Sequence, residues 1–238
     1  MILEIDAGNT FIKWRLINKK GVVTRGRVKA LMLNEGVPES WLKGIVKVRV
    51  SSVAGDHVNG LINTALKSID VAVAYAYSSK SCAGVVNAYV DPLRLGVDRW
   101  LAMLAAYNQC RKMCCIVDCG SAITVDYVDA EGFHQGGFIM PGLRLMQQGL
   151  LSNTAEIIVD HDCRQFDIEP GCHTSSAVSH GINYMFMSLA EKVSSEVKAS
   201  GGELFVTGGD GKLFSDLVAE SRYEPDLVLD GLTWSLPE

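Results

Sequence analysis

Short apolar blocks separated by turn residues fill the first third of the chain. Ile2–Ile5, Phe11–Ile17 and Val22–Val28 are predicted strands, joined by tight turns at Ala7-Gly8-Asn9-Thr10 and Asn18-Lys19-Lys20-Gly21. Ile45–Val53 and Val71–Tyr77 predict two more strands, with a helix through Val58–Lys67 between them. Over Arg99–Arg111 the spacing of Trp100, Leu101, Leu104, Ala105 and Tyr107 predicts a helix with one buried face. The strand pattern then returns at Cys115–Asp118, Thr124–Val128 and Phe133–Ile139, and Pro141-Gly142 ends it. A long helix is predicted at about Thr174–Lys198, with Val178, Ile182, Phe186, Leu189 and Val193 as its apolar stripe, broadened by Met185 and Met187. Near the end, Phe205-Val206-Thr207 runs into Gly208-Gly209-Asp210-Gly211 before a helix at Lys212–Glu220.

The return of the strand pattern is a repeat. Ile2-Leu3-Glu4-Ile5-Asp6-Ala7-Gly8-Asn9 resembles Cys114-Cys115-Ile116-Val117-Asp118-Cys119-Gly120-Ser121, and Asp6 and Asp118 are 112 residues apart. Each copy is a buried strand, an Asp-x-Gly turn and a second strand. The chain is therefore read as an α/β protein of two similar half-domains, 1–113 and 114–238, facing each other across a cleft lined by the two turns. One such turn alone would mark a plain hairpin, a common use of Asp and Gly. Two at matching places point to a nucleotide. Gly8 and Gly120 let backbone N–H groups approach an anion, because no side chain intervenes. Asn9, Thr10 and Ser121 add hydrogen bonds to phosphate oxygens, and Asp6 and Asp118 could hold a cation or orient a water beside them. Neither turn has the P-loop or the dinucleotide-binding glycine pattern.

Composition narrows the partners. The 238 residues carry a net charge of −5, so no global field draws the chain to nucleic acid or an anionic membrane. No apolar run approaches the about 18 residues a bilayer requires, and Glu4 and Asp6 occupy the start, where a signal peptide carries positive charge; a cytoplasmic location is expected. The seven cysteines (Cys82, Cys110, Cys114, Cys115, Cys119, Cys163 and Cys172) have no disulfide-scaffold spacing and are read as small buried hydrophobes. Cys114 and Cys115 are adjacent on a strand and point to opposite faces, which speaks against a metal cluster there. Lys13, Arg15, Lys19, Lys20, Arg25, Arg27 and Lys29 are read as a solvated sheet face, with Lys13, beside the glycine turn, the exception. His57, His134, His161, His173 and His180 lack metal-ligand spacing; His173 is the one placed near a site.

Between the halves, Tyr89-Val90-Asp91-Pro92-Leu93-Arg94-Leu95-Gly96-Val97-Asp98-Arg99 leads into a helix. Asp98 can be an N-cap, and a rigidly held carboxylate there can also take the proton of an alcohol during phosphoryl transfer. Arg99 offers a planar fork for a carboxylate or phosphate. At these residues the chain resembles a known family. Asp6-Ala7-Gly8-Asn9-Thr10 with Lys13, Gly96-Val97-Asp98-Arg99, Asp118-Cys119-Gly120-Ser121-Ala122-Ile123-Thr124 with Asp126, and Gly136-Gly137-x-Ile139-x-Pro141-Gly142, in this order, are similar to type III pantothenate kinases of the acetate kinase, sugar kinase, heat-shock chaperone and actin superfamily.

The resemblance implies a duplicated ribonuclease-H-like, actin-like ATPase fold with the nucleotide cleft between its halves. It implies ATP-dependent phosphorylation of pantothenate to 4′-phosphopantothenate, the first step of coenzyme A synthesis. It implies Asp98 as base; Tyr89, Gly96, Val97, Asp98, Arg99 and Thr174 as the pantothenate site; Asp6, Ala7, Gly8, Asn9, Thr10, Phe11, Ile12, Lys13 and Ser121 at ATP; and Asp118 as ligand of an activating monovalent cation, potassium or ammonium. Mg2+ accompanies ATP. A homodimer is implied, its acceptor sites near the subunit interface. Ser121 departs from the family's more frequent threonine but keeps the hydroxyl, and Gly208-Gly209-Asp210 is the loosest match, toward adenosine. A non-catalytic regulator of the same fold is the alternative; Asp6, Asp98 and Arg99, all present, favour an enzyme. Other small-molecule kinases of the superfamily are generally longer chains.

Overall fold

The computed structural model describes residues 1–8, 11–42, 44–67, 71–153 and 166–237. They form two compact units, residues 1–109 with 226–238, and residues 110–225.

In the first unit β1 (Ile2–Ala7), β2 (Phe11–Asn18) and β3 (Gly21–Lys29) form an antiparallel meander. On the other side of β1, β4 (Lys47–Ser52) and β5 (Val73–Tyr75) run parallel to it, giving the order β3-β2-β1-β4-β5. Between β4 and β5 lies α1 (Asp56–Leu66), and a two-stranded ribbon, β6 (Ser81–Cys82) and β7 (Val85–Val86), precedes α2 (Val97–Cys110). Leu3, Ile5, Ile12, Trp41, Val50 and Ile62, all wholly buried, are central to one core.

The second unit repeats the plan. β8 (Cys114–Cys119), β9 (Ala122–Val128) and β10 (His134–Pro141) form the meander, and β11 (Glu203–Thr207) and β12 (Ser221–Tyr223) extend it in parallel, in the order β10-β9-β8-β11-β12. The helices are α3 (Leu143–Asn153), α4 (Thr174–Ser200) and α5 (Gly211–Leu217). Phe186 of α4 meets Phe214 of α5 edge to face at 5.4 Å over the core. The α4 stripe is buried at Ile182, Phe186 and Val193, while Val178 and Leu189 pack part-buried against it. Met185 does not join it: one position before Phe186 it turns about 100° away around the helix and is 61% exposed.

Some elements carry no clear signal in the chain. The α3 helix follows Pro141-Gly142 directly and buries little beyond Leu143, so its pattern is weak. The α6 helix (Leu227–Ser235) contains Gly231, which lowers helix propensity. A Cβ there would lie 2.2 Å from the Leu101 carbonyl oxygen, so this glycine is what lets α6 seat on α2. Val71–Tyr77 shortens to β5, and Ile45–Val53 to β4.

Two surface readings are corrected. Arg15 is not on a solvated face: it is buried, with Nε 2.7 Å from Glu4 and Nη1 2.6 Å from Asp230, while Arg49 reaches Glu4 at 3.2 Å. Glu4 is fully buried, and its charge is tolerable because two guanidinium groups flank it. The cysteines are also not uniformly buried. Cys114, Cys115 and Cys119 are, but Cys82 and Cys110 are half-buried and Cys172 is exposed. Cys163 and His161 lie outside the described residues.

Candidate active site

Strand pairing builds the first part of the site. Asp6, near the C-terminal end of β1, is in register with Lys13 on β2 and Ser51 on β4. Ser51 Oγ donates to Asp6 Oδ1 at 3.3 Å. The turn after β1 closes with Gly8 N–H donating to the Phe11 carbonyl at 3.0 Å. Asn9 and Thr10 lie outside the described residues. Ala7 and Ile12 are wholly buried, so their side chains belong to the core and main-chain groups are what they can offer a ligand. The Phe11 ring lies under the Arg27 guanidinium at 3.6 Å. Burial pushes the Asp6 carboxyl up to about 6; Lys13 opposes this, and the negative charge of Asp98 adds to it.

That electrostatic coupling brings together two motifs 92 residues apart in sequence, Asp6 and Asp98. Asp98 stands in the first turn of α2, where the positive end of the helix favours a carboxylate. Its Oδ1 accepts from the Arg99 N–H at 2.8 Å. A Cβ at Gly96 would be 2.6 Å from the same oxygen, so a glycine two residues earlier is what gives the carboxylate its room. Arg99 is buried, and its Nη1 donates to the Tyr89 hydroxyl at 3.0 Å, with the guanidinium 5.8 Å from that ring's centroid. Tyr89, Gly96, Val97, Asp98 and Arg99 are thus one local constellation.

Residues that the motifs did not single out hold it in place. Asn87, almost wholly buried, donates to the carbonyls of Ser79 and Pro92 and accepts from Tyr89 N–H at 2.9 Å. Ser78 Oγ donates to the Leu95 carbonyl at 2.8 Å. Ser51 was legible in principle: Ser51-Ser52 ends an apolar strand, where parallel α/β sheets present side chains to ligands.

In the second unit Asp118 occupies the place that Asp6 has in the first, in register with Thr124 and Thr207. Gly120 N–H donates to the Ala122 carbonyl at 2.9 Å, and Ser121, next to it, is exposed. The remaining glycine motifs converge on this turn. Gly142 N–H donates to the Ser121 carbonyl at 3.0 Å, and a Cβ at Gly142 would sit 2.4 Å from the Gly120 oxygen. Gly208, at φ +93, presses so closely that its Cβ would be 2.5 Å from both Asp118 Oδ1 and the Cys119 carbonyl oxygen. Thr174 begins α4 behind His173, whose side chain caps the helix, and lines a cavity of about 590 Å³ with Leu150, Val178 and Met185.

Comparison with known proteins identifies the arrangement. Residues 2–196 match the profile of the family described as "Type III pantothenate kinase". A curated relative from Ectopseudomonas mendocina (strain ymp), so named, is 40% identical, with 100% of this chain and 99% of the relative covered. Another, from Marinobacter nauticus, is 37% identical with 98% and 96% covered. Among solved structures, a Baf family protein from Campylobacter jejuni superposes with a TM-score of 0.61 at 20% identity, covering 97% of this chain and 95% of that one, a likeness of fold alone. With the same five-stranded order in both units, the fold is α/β, a duplicated ribonuclease-H-like, actin-like ATPase fold. The regulator alternative gains nothing from relatives that carry the kinase name over their full length. On the family profile and on identity across its whole length, the chain belongs to the type III pantothenate kinase family.

Proposed function

We propose that this chain transfers the γ-phosphoryl group of ATP to the hydroxyl of pantothenate, giving ADP and 4′-phosphopantothenate, the first step of coenzyme A synthesis. The observation that carries the reading is Asp98: a carboxylate fixed at the start of α2, beside buried Arg99 and electrostatically coupled to the Asp6–Lys13 turn. Asp98 accepts the hydroxyl proton as the oxygen attacks the γ-phosphorus and the bond to ADP breaks. Arg99, oriented by Tyr89, takes the pantothenate carboxylate, and Gly96, Val97 and Thr174 complete that site. Gly8, Asn9, Thr10 and Lys13 hold phosphate oxygens, with Ala7, Phe11 and Ile12 contributing main chain, and Ser121 contacts ATP.

Asp6 suits Mg2+, which is bound through one or two carboxylates together with substrate phosphates and neutralises their charge; repulsion between Asp6 and Asp98 is what such a cation relieves. Asp118 suits potassium or ammonium: a carboxylate is a hard oxygen donor, and its register partners Thr124 and Thr207 are uncharged. Such a cation supplies positive charge near the ATP phosphates. We further place the protein in the cytoplasm as a homodimer built on α4, whose Tyr184 and Met185 are each 61% exposed; among the described residues no helix is long and apolar enough to cross a membrane.

The test is ADP release with ATP, Mg2+ and pantothenate, in potassium and in sodium, for the native protein and Asp98→Asn. Asn keeps an oxygen to accept the Arg99 N–H, so the variant stays folded while turnover falls about 10²–10⁴-fold. No potassium-dependent turnover from folded native protein, or undiminished turnover in Asp98→Asn, overturns the assignment.

A further inference from the structure

The stretch that carries Tyr89 is held by polar contacts more than by packing. It follows β7, and residues 87–91 belong to no helix or strand. At its ends Asn87 and Leu95 are 1% and 2% exposed, but every residue from Ala88 to Arg94 is part-buried or exposed, Val90 fully so. A segment with so little buried apolar surface takes its conformation from its hydrogen bonds. Asn87 supplies them in three directions. Its N–H donates to the Lys80 carbonyl at 2.9 Å. Its Nδ2 donates to the Ser79 carbonyl at 3.2 Å and to the Pro92 carbonyl at 3.4 Å, which ties the far end of the stretch to the chain before it. Its Oδ1 accepts from the Tyr89 N–H at 2.9 Å, an Asx turn that fixes the main chain two positions on. No other side chain of this size offers two donors and an acceptor together. Tyr89, so placed, accepts from Nη1 of buried Arg99 at 3.0 Å through its hydroxyl.

We propose that Asn87 is a positioning residue for the acceptor: it fixes the Tyr89 main chain, Tyr89 orients Arg99, and the three together set affinity for the acceptor's carboxylate. The proposal rests on the reading of Arg99 as the group that takes the pantothenate carboxylate. Asn87 touches neither substrate nor phosphate in this scheme, so its loss weakens acceptor binding and spares phosphoryl transfer. It also spares ATP, because Asn87 makes its contacts within residues 79–92 and not with the Asp6–Lys13 turn. A residue that merely stabilised the whole unit would disturb both substrates alike.

The test is steady-state kinetics and hydrogen exchange on the full chain, comparing native protein with Asn87→Ala, Asn87→Ser, Tyr89→Phe and the double variant Asn87→Ala/Tyr89→Phe. Asn87→Ala is expected to raise KM for pantothenate about tenfold, with kcat and KM for ATP within about twofold of native. Serine keeps an oxygen for the N–H two residues on, so Asn87→Ser falls between native and Asn87→Ala. Because Asn87 acts through the Tyr89 hydroxyl, the double variant binds pantothenate no more weakly than Tyr89→Phe; independent effects would multiply. In ligand-free protein, amides of residues 88–95 exchange about tenfold faster in Asn87→Ala, while those of β1, β2 and α2 keep their native rates. If Asn87→Ala does not fold, Asn87→Ser carries the same comparisons with Tyr89→Phe. Effects that multiply, an equal rise in KM for ATP, or native KM and native exchange in the variant overturns the proposal. Native protein that turns over no pantothenate overturns the acceptor assignment instead, and the exchange comparison, made without ligand, then decides the role of Asn87 by itself.

Discussion

Replacing Asp6 with Asn isolates the cost of a functional carboxylate. In the folded protein burial raises this carboxyl from 3.8 to about 6, against Lys13 and the Ser51 hydrogen bond and with the help of Asp98. The folded state therefore holds its proton more tightly than the unfolded chain, and ionising Asp6 destabilises the fold. That destabilisation is absent below about pH 4, accumulates between about 4 and 6, and is complete above. A difference of about 2 in pKa corresponds to about 3 kcal/mol at most; Asp6 is part-exposed, and water reaching it reduces this to about 1–2 kcal/mol. Asn keeps an oxygen for Ser51 and removes the charge. The variant should thus melt about 2–6 °C higher than the native protein at pH 8 and at the same temperature at pH 4, while its turnover collapses. Thermal unfolding of both proteins across that range reads the effect. A gap independent of pH, or a variant less stable than the native protein above pH 6, would refute the reasoning.

Other positions test separate parts of the site. Arg99→Lys keeps the charge but loses the planar fork that donates to Tyr89; steady-state kinetics should show KM for pantothenate rising about 10–100-fold with a smaller change in kcat. Ser51→Ala removes the hydroxyl that donates to Asp6, which moves the Asp6 carboxyl further up, so the acid limb of the pH–rate profile shifts to higher pH, and Ser51→Thr restores it. Gly208→Ala combines a left-handed φ with a Cβ 2.5 Å from Asp118 Oδ1 and the Cys119 backbone; urea titration should show a loss of about 2 kcal/mol or more, with potassium activation weakened.

What could be read from the chain depended on whether a residue's partner was local. The strand–turn–strand repeats are visible because a short, near-continuously apolar strand and the Asp-x-Gly turn both lie within a dozen residues. The α4 stripe is visible because helical spacing over 27 residues repeats the same face many times. Arg15 looked like its neighbours Lys13 and Arg25 on the hairpin: Glu4 stands opposite it on β1, but nothing nearby announces Asp230, 215 residues away, as its second partner. The seat of α6 on α2 was hidden for the same reason, Gly231 reading as a helix breaker rather than as the point of contact with Leu101. Asp98, Arg99 and the glycines were legible as motifs. Asn87, which holds the Tyr89–Arg99 segment, was not, because a buried side-chain amide has meaning only once its hydrogen-bond partners are known.

The duplication also accounts for the division of labour proposed for the two turns. Asp6 and Asp118 have the same strand position, and each has a buried hydroxyl residue on the parallel neighbour, Ser51 and Thr207. The main chain agrees too: Val53 N–H donates to the Ala7 carbonyl at 3.1 Å and Asp210 N–H to the Cys119 carbonyl at 2.9 Å. The copies differ in charge on the antiparallel side, where Lys13 stands beside Asp6 and neutral Thr124 beside Asp118. They differ again after the parallel strand, where Ser52-Val53 follows Ser51 but Gly208 follows Thr207 and packs closely against the Asp118 carboxylate and the Cys119 carbonyl. A turn that carries its own ammonium group suits anionic phosphate directly. A turn whose register partner is uncharged suits phosphate through a bound cation. One ancestral motif would then serve both roles, with the difference set by the residue at Lys13 or Thr124 and by the glycine at 208.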